Sequence, residues 1–505
     1  MVDIVGEENA SADELERLVY SHDLASIPRE ILFAFKIKPD VIVKPKTLGQ
    51  VVDVLKCARE SRVAVTPRGS ATWAFGGAMT TQGGVMLDLS QLNKIGWFDE
   101  QNGLISVQCG VTWKSLIEFL DQTRWCLPSY PSSAPSATVG GWAATGGLGY
   151  GSLKNGYFKD STVRATVALP TGEMVAFEKS PKGEHQHLVT KLPLSSIGQL
   201  RRRLQGLKLE QLFSSEGILC LFLEFTVKLM PRGEVERPVL ASFNKFEEAI
   251  EASKKVASNT KPFTMILHDD EFLKIKREAG FHAPEAGGIL LAHYYGSAVE
   301  VESNAEEFLR TASDHGGTGL PEEEAWREWE ERFYPMRVKR RGPTLLASDV
   351  IIPVNALNEA VKHSRKLAGK SGLRVGIDVI FVSPDEAIFL PLFFSDERHP
   401  MRFLSHLGIV KKLNDFVINV GGRPYGYGVW NAYFINRVQP ERAAELRRLK
   451  RALDPANTLN PGKTYTMHTQ FSLPLPLKRD RLRIPVPRMV YSLVSNLLWI
   501  IGRFL

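Results

Sequence analysis

Pro135-Ser-Ala-Thr-Val-Gly-Gly-Trp-Ala-Ala-Thr-Gly-Gly-Leu-Gly-Tyr-Gly151 is the most informative stretch of this chain. Six of the twelve positions from Gly140 to Gly151 are glycine, far above the usual ~7%. A flexible linker of that glycine content would be polar and serine-rich. Here Trp142, Ala143, Ala144, Leu148 and Tyr150 stand between the glycines, which suits backbone packed against something flat and apolar; a loop that merely turns tightly is the plainer alternative. Upstream, the strand-like Ala64-Val-Thr66 runs into Thr66-Pro-Arg-Gly-Ser-Ala-Thr72 and then Phe75-Gly-Gly77. Consecutive N–H groups in such a loop can converge on an anion, because glycine accepts backbone angles that other residues resist and admits phosphate closely. That loop is a candidate pyrophosphate cradle.

Neither segment is the dinucleotide fingerprint G-x-G-x-x-G: Gly147-Leu-Gly149 is followed by Gly151, no buried strand precedes it, and no Walker A loop exists in the chain. At 505 residues the chain is long enough for two or three folded units with cores of their own. Hydrophobic residues make up 44% and charged residues 24%, values that argue against wholesale disorder, collagen and a polytopic membrane protein. Cys57, Cys109, Cys126 and Cys220 are widely separated, without a Cys-x-x-Cys pair. A disulfide scaffold, a zinc ribbon and an iron–sulfur cluster carried by this chain alone are excluded on that count, and no metal site is expected.

Most of the formal charge of +7 is local. From Lys478 to Leu505 six bases face one acid, Asp480, which leaves the rest of the chain close to neutral. A nucleic-acid-binding stripe is therefore not expected. The run from Met489 to Gly502 is uncharged. A bilayer span takes about 20 apolar residues, so this stretch reads as an interfacial anchor on anionic lipid or a helix docking on a partner subunit, through residues 484–505. The acidic N-terminus lacks the basic and apolar regions of a secretory signal; a cytoplasmic protein is expected, with peripheral membrane attachment open through the tail.

The coarse pattern predicts helices over 12–22, 48–61, 247–258, 303–315 and 322–332. Strands are predicted over 41–45, stopping at Pro45, and over 64–66, 85–89, 104–108, 162–169, 174–177, 218–229, 265–267, 289–295, 375–382 and 387–394. After Pro231 the alternation is that of an α+β unit with helices on one face of an antiparallel sheet.

Five ordered motifs carry a resemblance: Pro67-Arg-Gly; Thr138-Val-Gly-Gly141 with Ala144-Thr145; Leu169-Pro-Thr-Gly-Glu173; Ser215-Glu-Gly217 leading into Glu224-Phe-Thr-Val-Lys-Leu-Met-Pro231; and Asp454-Pro-Ala-Asn-Thr-Leu-Asn-Pro-Gly-Lys463. Over about residues 38 to 466 the chain resembles the PCMH-type (vanillyl-alcohol oxidase) superfamily of FAD-linked oxidases, in the branch of D-lactate dehydrogenases and the glycolate oxidase FAD subunit. The resemblance implies an α+β protein: a PCMH-type FAD-binding domain of two α/β subdomains and an α+β cap over the flavin. The corresponding divisions are a lead-in 1–34, the FAD domain 35–232, the cap 233–450, a return segment 451–470 and the tail 471–505. It further implies that Pro67, Arg68, Gly69, Ser70, Ala71 and Thr72 hold the pyrophosphate, while Thr138, Gly140, Gly141, Ala144, Thr145 and Gly151 line the flavin. Glu216 and Gly217 close the adenine and ribose side, and Asn460 and Lys463 return near the ring. The loop from Pro67 to Gly77 has no His or Cys, so FAD is expected to be noncovalent.

Oxidising a small 2-hydroxy acid such as D-lactate or glycolate takes a hydride acceptor, a base and cations for the carboxylate, and a flavin supplies only the first. The family's Gly-Asp-Gly-Asn-x-His and Gly-Glu-His-Gly segments are missing. In their places stand Phe381-Val-Ser-Pro-Asp-Glu-Ala-Ile-Phe389 and Gly421-Gly-Arg-Pro-Tyr-Gly-Tyr-Gly-Val-Trp-Asn431. If the second is extended, Arg423, Tyr425 and Tyr427 share one face by period-two geometry and become candidate catalytic residues; packing around a Gly-rich turn is the alternative. Arg337 resembles the family's substrate-side arginine, or belongs to a solvated basic face with Lys339, Arg340 and Arg341. Without a cluster or haem motif in the chain, electrons leave through a separate acceptor, an iron–sulfur protein or a quinone. Two other functions stay open: oxidation of a lipid-linked or bulky alcohol, and a flavin electron-transfer subunit without substrate chemistry of its own.

Overall fold

The computed structural model describes residues 1–25, 35–180, 183–189, 194–333 and 335–466; the tail, and the part of the lead-in at 26–34, lie outside it. The first sheet is built from β1 (Ala10–Ser11), β2 (Val41–Val43), β3 (Val65–Arg68) and β4 (Val85–Asp88), in the order β1-β2-β4-β3 with the inner pairs parallel. Between β2 and β3 runs α1 (Leu48–Glu60). Thr47 caps it by accepting the Gln50 N–H, while the Gln50 side chain accepts the Thr47 N–H, so two orphan donors are satisfied reciprocally. Its face of Val51, Val54, Leu55 and Ala58 is buried at helical spacing.

The second sheet is antiparallel: β5 (Ile95–Asp99), β6 (Leu104–Gln108), β7 (Thr162–Ala168), β8 (Met174–Ser180), β9 (Gly183–Leu188) and β10 (Leu221–Lys228), in the order β9-β8-β7-β10-β6-β5. Against it lie α2 (Trp113–Leu120) and α3 (Val139–Thr145). The latter places part of the Gly-rich run, Val139–Thr145, in a helix, an element the sequence pattern did not predict there. Thr138 caps nearly two helical turns, and glycine is required there for approach: a Cβ on Gly140 would stand 2.6 Å from Cys109 Cβ. Trp142 packs edge-on to Trp113 and tilted over Phe158, so it belongs to the core.

The third sheet has nine strands: β11 (Val235–Phe243), β12 (Thr264–Asp269), β13 (Gly288–Gly296), β14 (Gly317–Gly319), β15 (Thr344–Ala347), β16 (Val350–Pro353), β17 (Gly376–Phe381), β18 (Glu386–Ser395) and β19 (Arg423–Pro424). Their order is β14-β11-β13-β12-β17-β18-β16-β19, with β15 also on β18. Helices α4 (Phe246–Asn259), α5 (Asp270–Glu278), α6 (Ala298–Asp314), α7 (Glu322–Glu330), α8 (Leu357–Gly369) and α9 (Pro400–Asn419) accompany it. Alternation divides the sheet. Leu267, Val379 and Phe389 join a core with Ile250, Leu357 and Val361 from the helices, while Asp378, Ile380, Ile388 and Leu390 line a cavity on the other face. After α10 (Pro440–Leu453) the chain returns to the first sheet, where Val65 N–H donates to Thr458 O and Asn460 N–H to Val65 O. α6 starts five residues earlier than its sequence pattern suggests, because Ser297 supplies the N-cap ahead of an exposed Val299.

Candidate active site

A cavity of about 680 Å³ lies between the two N-terminal sheets and the open face of the third. Its floor is the loop after β3. Pro67, Arg68, Gly69, Ser70, Ala71 and Thr72 all line it, and Ala71 takes the left-handed region at φ 52°. Among the described residues, no hydrogen bond engages the N–H groups of Gly69, Ser70, Ala71 or Thr72. A row of free amide donors on a cavity wall is what an anion requires. Gly69 also abuts Thr138, since a Cβ there would stand 2.3 Å from Thr138 Oγ1. Arg68 turns its guanidinium aside, donating to His22 O at 2.8 Å and to Ala78 O at 3.4 Å over the Tyr20 ring. It therefore braces the loop.

Of the residues expected to hold a flavin, Thr138, Gly140, Gly141, Ala144, Thr145, Glu216 and Gly217 line the same cavity. Gly151, Asn460 and Lys463 do not line it. Gly151, at φ 82°, lies against Pro128 O and the Phe263 ring, where a Cβ would clash at 2.2 and 2.5 Å. Asn460 and Lys463 stand behind the wall: Lys463 Nζ donates to Gly77 O at 2.8 Å and to Asn460 Oδ1 at 2.5 Å. Glu216 links these layers. Its buried carboxylate accepts the N–H of Tyr427 at 2.8 Å, the N–H of Gly428 at 2.7 Å and the Thr464 hydroxyl at 2.8 Å. Burial nevertheless lifts its pKa above the usual carboxylate range. Burial also pushes Lys463 down to about 7.

The stretch 421–431 is not an extended ribbon. Only Arg423 and Pro424 pair, with Ile351 and Val350, and turns follow; a Cβ on Gly426 would meet the Trp73 ring at 1.6 Å and one on Gly428 would meet Phe75 O at 2.1 Å. The expected shared face is lost with it. The Arg423 guanidinium grips both oxygens of Glu386 and reaches the Tyr157 hydroxyl at 3.3 Å, and it does not line the cavity. Tyr427 donates to Gln439 Oε1 at 2.9 Å and also lies off the cavity wall. Tyr425 does line it, with its hydroxyl given to Leu148 O at 2.7 Å. Burial raises both phenols above their ordinary pKa. Arg337 lines the cavity mouth with Lys339, both exposed. His293 is fully buried and stacked on Trp329 at 3.9 Å.

The sequence reading missed the third wall. Along α9, Leu407, Val410, Lys411 and Asn414 face the cavity at the i, i+3, i+4, i+7 spacing of one helical stripe. Asp349 and Asp378 line it as well. The isolated acids carried no motif, although the helical stripe was legible in the spacing. Among the described residues no three His, Cys, Asp or Glu side chains gather as a metal site.

The comparisons bear on what fills this space. Residues 39–178 match the FAD binding domain family, and residues 232–464 match the family of FAD linked oxidases, C-terminal domain. The chain belongs to the FAD-linked oxidases, with the PCMH-type fold, and is an FAD-dependent oxidoreductase acting on CH–OH groups. It is 26% identical over 478 residues to the glycolate oxidase subunit GlcD of Bacillus subtilis, covering 92% of this chain and 96% of that one. It is 24% identical over 479 residues to the mitochondrial D-lactate dehydrogenase [cytochrome] of Arabidopsis thaliana, covering 92% and 79%. Among solved structures, p-cresol methylhydroxylase with substrate bound superposes with a TM-score of 0.76 at 18% identity, over 92% of this chain and 95% of that one; at that identity the likeness is one of fold. The cavity fits FAD. The free amides of Gly69–Thr72 match its pyrophosphate, and Gly140 and Gly141 bring bare backbone to the cavity wall, Gly140 because a Cβ there would meet Cys109 Cβ at 2.6 Å.

Proposed function

We propose that the protein oxidises a small 2-hydroxy acid, of the kind of D-lactate or glycolate, and passes the electrons to a separate carrier, an iron–sulfur protein or a quinone. FAD, when bound, supplies the hydride acceptor. The supporting observation is the cationic side of the cavity: Arg337 and Lys339 at its mouth and Lys411 on α9 line the same space as the loop after β3. A carboxylate entering there meets positive charge from these side chains, of which Lys411 also donates to Asp415 at 2.7 Å, while the FAD pyrophosphate is matched by backbone amides of the loop after β3. The glycolate oxidase subunit and the D-lactate dehydrogenase to which the chain is similar are named for that chemistry.

FAD is held noncovalently in this reading. The loop 67–77 offers no His or Cys, and the two cysteines on the wall are poor nucleophiles, because burial pushes Cys109 up to about 12 and Cys220 higher still. Anaerobic reduction of the holoprotein by a panel of hydroxy acids, sugars and lipid alcohols tests the substrate class, with bleaching by D-lactate or glycolate as the expected result.

A bulkier alcohol is the second reading, favoured by Ile380, Ile388, Leu390, Leu407 and Val410 on the third-sheet side. Reduction by a lipid alcohol alone would select it. Among the described residues no helix is long and apolar enough to cross a membrane. The tail is the segment proposed to attach to a membrane surface or a partner subunit, and truncation after Lys478 is expected to abolish that attachment.

A further inference from the structure

Removing a hydride from a hydroxy acid requires somewhere for the hydroxyl proton to go, and the phenols of Tyr425 and Tyr427 are already committed to Leu148 O and Gln439. Asp349 and Asp378 on the cavity wall each have an oxygen without a hydrogen bond, and of the two Asp349 also lacks an ion pair among the described residues. Asp349 lies between β15 and β16, its backbone carbonyl accepting the Tyr425 N–H at 3.1 Å. Its Oδ1 is buried without a hydrogen-bond partner among the described residues, while the residue as a whole is half-buried and lines the cavity. Such an atom costs free energy unless something arrives to pair with it.

Asp378 on β17 lines the same cavity and stands directly across the ladder from His268 on β12. A row of buried groups runs backward from it. His268 Nε2 is 3.4 Å from Asp378 Oδ1, and its Nδ1 is 3.1 Å from Glu328 Oε1 on α7. Glu328 takes two bonds, at 2.6 and 2.8 Å, from Lys276 Nζ on α5, and Lys276 ends 3.9 Å from Glu331 at the half-exposed edge. Burial opposes charge on His268, but Asp378 and Glu328 outweigh it and raise its pKa. Burial likewise opposes the Glu328 carboxylate, yet Lys276 and His268 bring it down to about 2. Buried ion pairs of this kind contribute little net stability against apolar packing, so stability alone does not account for four of them in a row behind a cavity.

We infer that Asp349 is the catalytic base of the oxidation proposed above, and that the row Asp378–His268–Glu328–Lys276 is a positioning network that fixes the Asp378 side chain beside it. This rests on the hydroxy-acid reading. The O–H proton would pass to Asp349, and the Cα hydrogen would leave with its bond pair as hydride, for which bound FAD would be the acceptor, as the C=O bond of the product 2-oxo acid forms. Burial first, and the Asp378 charge second, push Asp349 up to about 7, where a carboxylate both accepts and releases a proton near neutrality. The other groups facing this space are Lys411 and Asn414 from α9, Tyr425 from the turn after β19, and Arg337 and Lys339 across the mouth.

The experiment follows flavin reduction by the best hydroxy acid, between pH 5.5 and 9, in FAD-loaded wild type, Asp349→Asn, Asp349→Glu and Asp378→Asn, together with infrared titration of substrate-free holoprotein. Expected are a wild-type rate that rises through about pH 7, a loss of roughly 100-fold or more in Asp349→Asn, partial recovery in Asp349→Glu, and an acid limb displaced to lower pH in Asp378→Asn with FAD content unchanged. A protonated-carboxyl band titrating near pH 7 and missing from Asp349→Asn supports the assignment whatever the substrate. Asp349→Asn within threefold of a reducible wild type, or a titrating band that survives in it, overturns the base. An unmoved profile in Asp378→Asn overturns the network. A wild type that no hydroxy acid reduces instead refutes the substrate reading, and the infrared band then decides Asp349 by itself.

Discussion

The side-chain amide of Asn460 donates to the backbone carbonyl of Glu216 at 2.7 Å, joining positions 244 residues apart. Both residues sit in the left-handed region, at φ 46° and 52°, a conformation that asparagine tolerates and glutamate does not favour. The Glu216 carboxylate offsets that strain with its three hydrogen bonds to Tyr427, Gly428 and Thr464. One residue thus ties the turn before β10 to the turns after β19 and to the returning C-terminal segment.

Replacing that carboxylate should act on cofactor and fold together. Glu216→Ala leaves two buried amides without acceptors, at a cost on the order of 3–5 kcal/mol, and frees the wall that carries Gly217. The expected outcome is a lower urea midpoint and purified protein with substoichiometric FAD. Full flavin content with an unchanged midpoint would show that Glu216 ties nothing essential.

Gly69→Ala separates cofactor binding from folding. The added methyl would meet Thr138 Oγ1 at 2.3 Å, and the loop must move off the line that presents its free amides. Secondary structure by circular dichroism should be retained while FAD affinity falls tenfold or more, read by fluorescence titration of apoprotein. Affinity within twofold of wild type would mean that the amides of this loop do not hold the pyrophosphate.

Arg423 is expected to matter for structure rather than for turnover. Its guanidinium is partly buried and bound to Glu386 across the edge of the third sheet. Arg423→Ala should cost about 1–2 kcal/mol, between the values for exposed and buried pairs, and leave flavin reduction by a hydroxy acid within a few-fold of wild type. Lys411 also has a carboxylate partner, Asp415 at 2.7 Å, but unlike Arg423 it lines the cavity, and Lys411→Ala should raise KM for an acid substrate roughly tenfold with kcat less affected. A collapse of reduction in Arg423→Ala with wild-type stability would return Arg423 to the substrate's side.

The contrast between these two cations shows what the sequence carried. Glycine-rich loops were legible because close approach leaves a compositional mark: Gly69, Gly140 and Gly151 each stand where a Cβ has no room. Four of the nine strands of the third sheet, β12, β13, β17 and β18, were legible in the sequence, where Leu267 and Val379 bury one face while Asp378 and Ile380 turn to the other; β11, β14, β15, β16 and β19 were not. The face shared by Arg423, Tyr425 and Tyr427 was not, because a period-two argument presumes a strand and the Gly426 and Gly428 turns end it after Pro424. Nor did local sequence join His268 to Glu328, Asp378 and Lys276. They come from four elements, and only the register of β12 on β17 and the packing of α5 and α7 bring them into one row.

Lys463 gives a prediction for pH. Its ammonium is buried behind the loop, where Gly77 O and Asn460 Oδ1 accept its hydrogens, and burial brings it down to about 7 against ~10.4 for lysine in an unfolded chain. Between those values the unfolded state binds the extra proton and the folded state does not. Folding stability from this group therefore rises with pH across the window from about 7 to about 10, and is level below it. Lys463→Met removes the titration and retains much of the volume. Urea midpoints of apoprotein at pH 6, 7, 8.5 and 10 should show wild type gaining on Lys463→Met as pH increases above 7, with a constant difference between pH 6 and 7. A difference that shrinks over the upper range would mean that the folded protein keeps the charge on Lys463, paired with Asp23 or Glu216, whose charges already favour it.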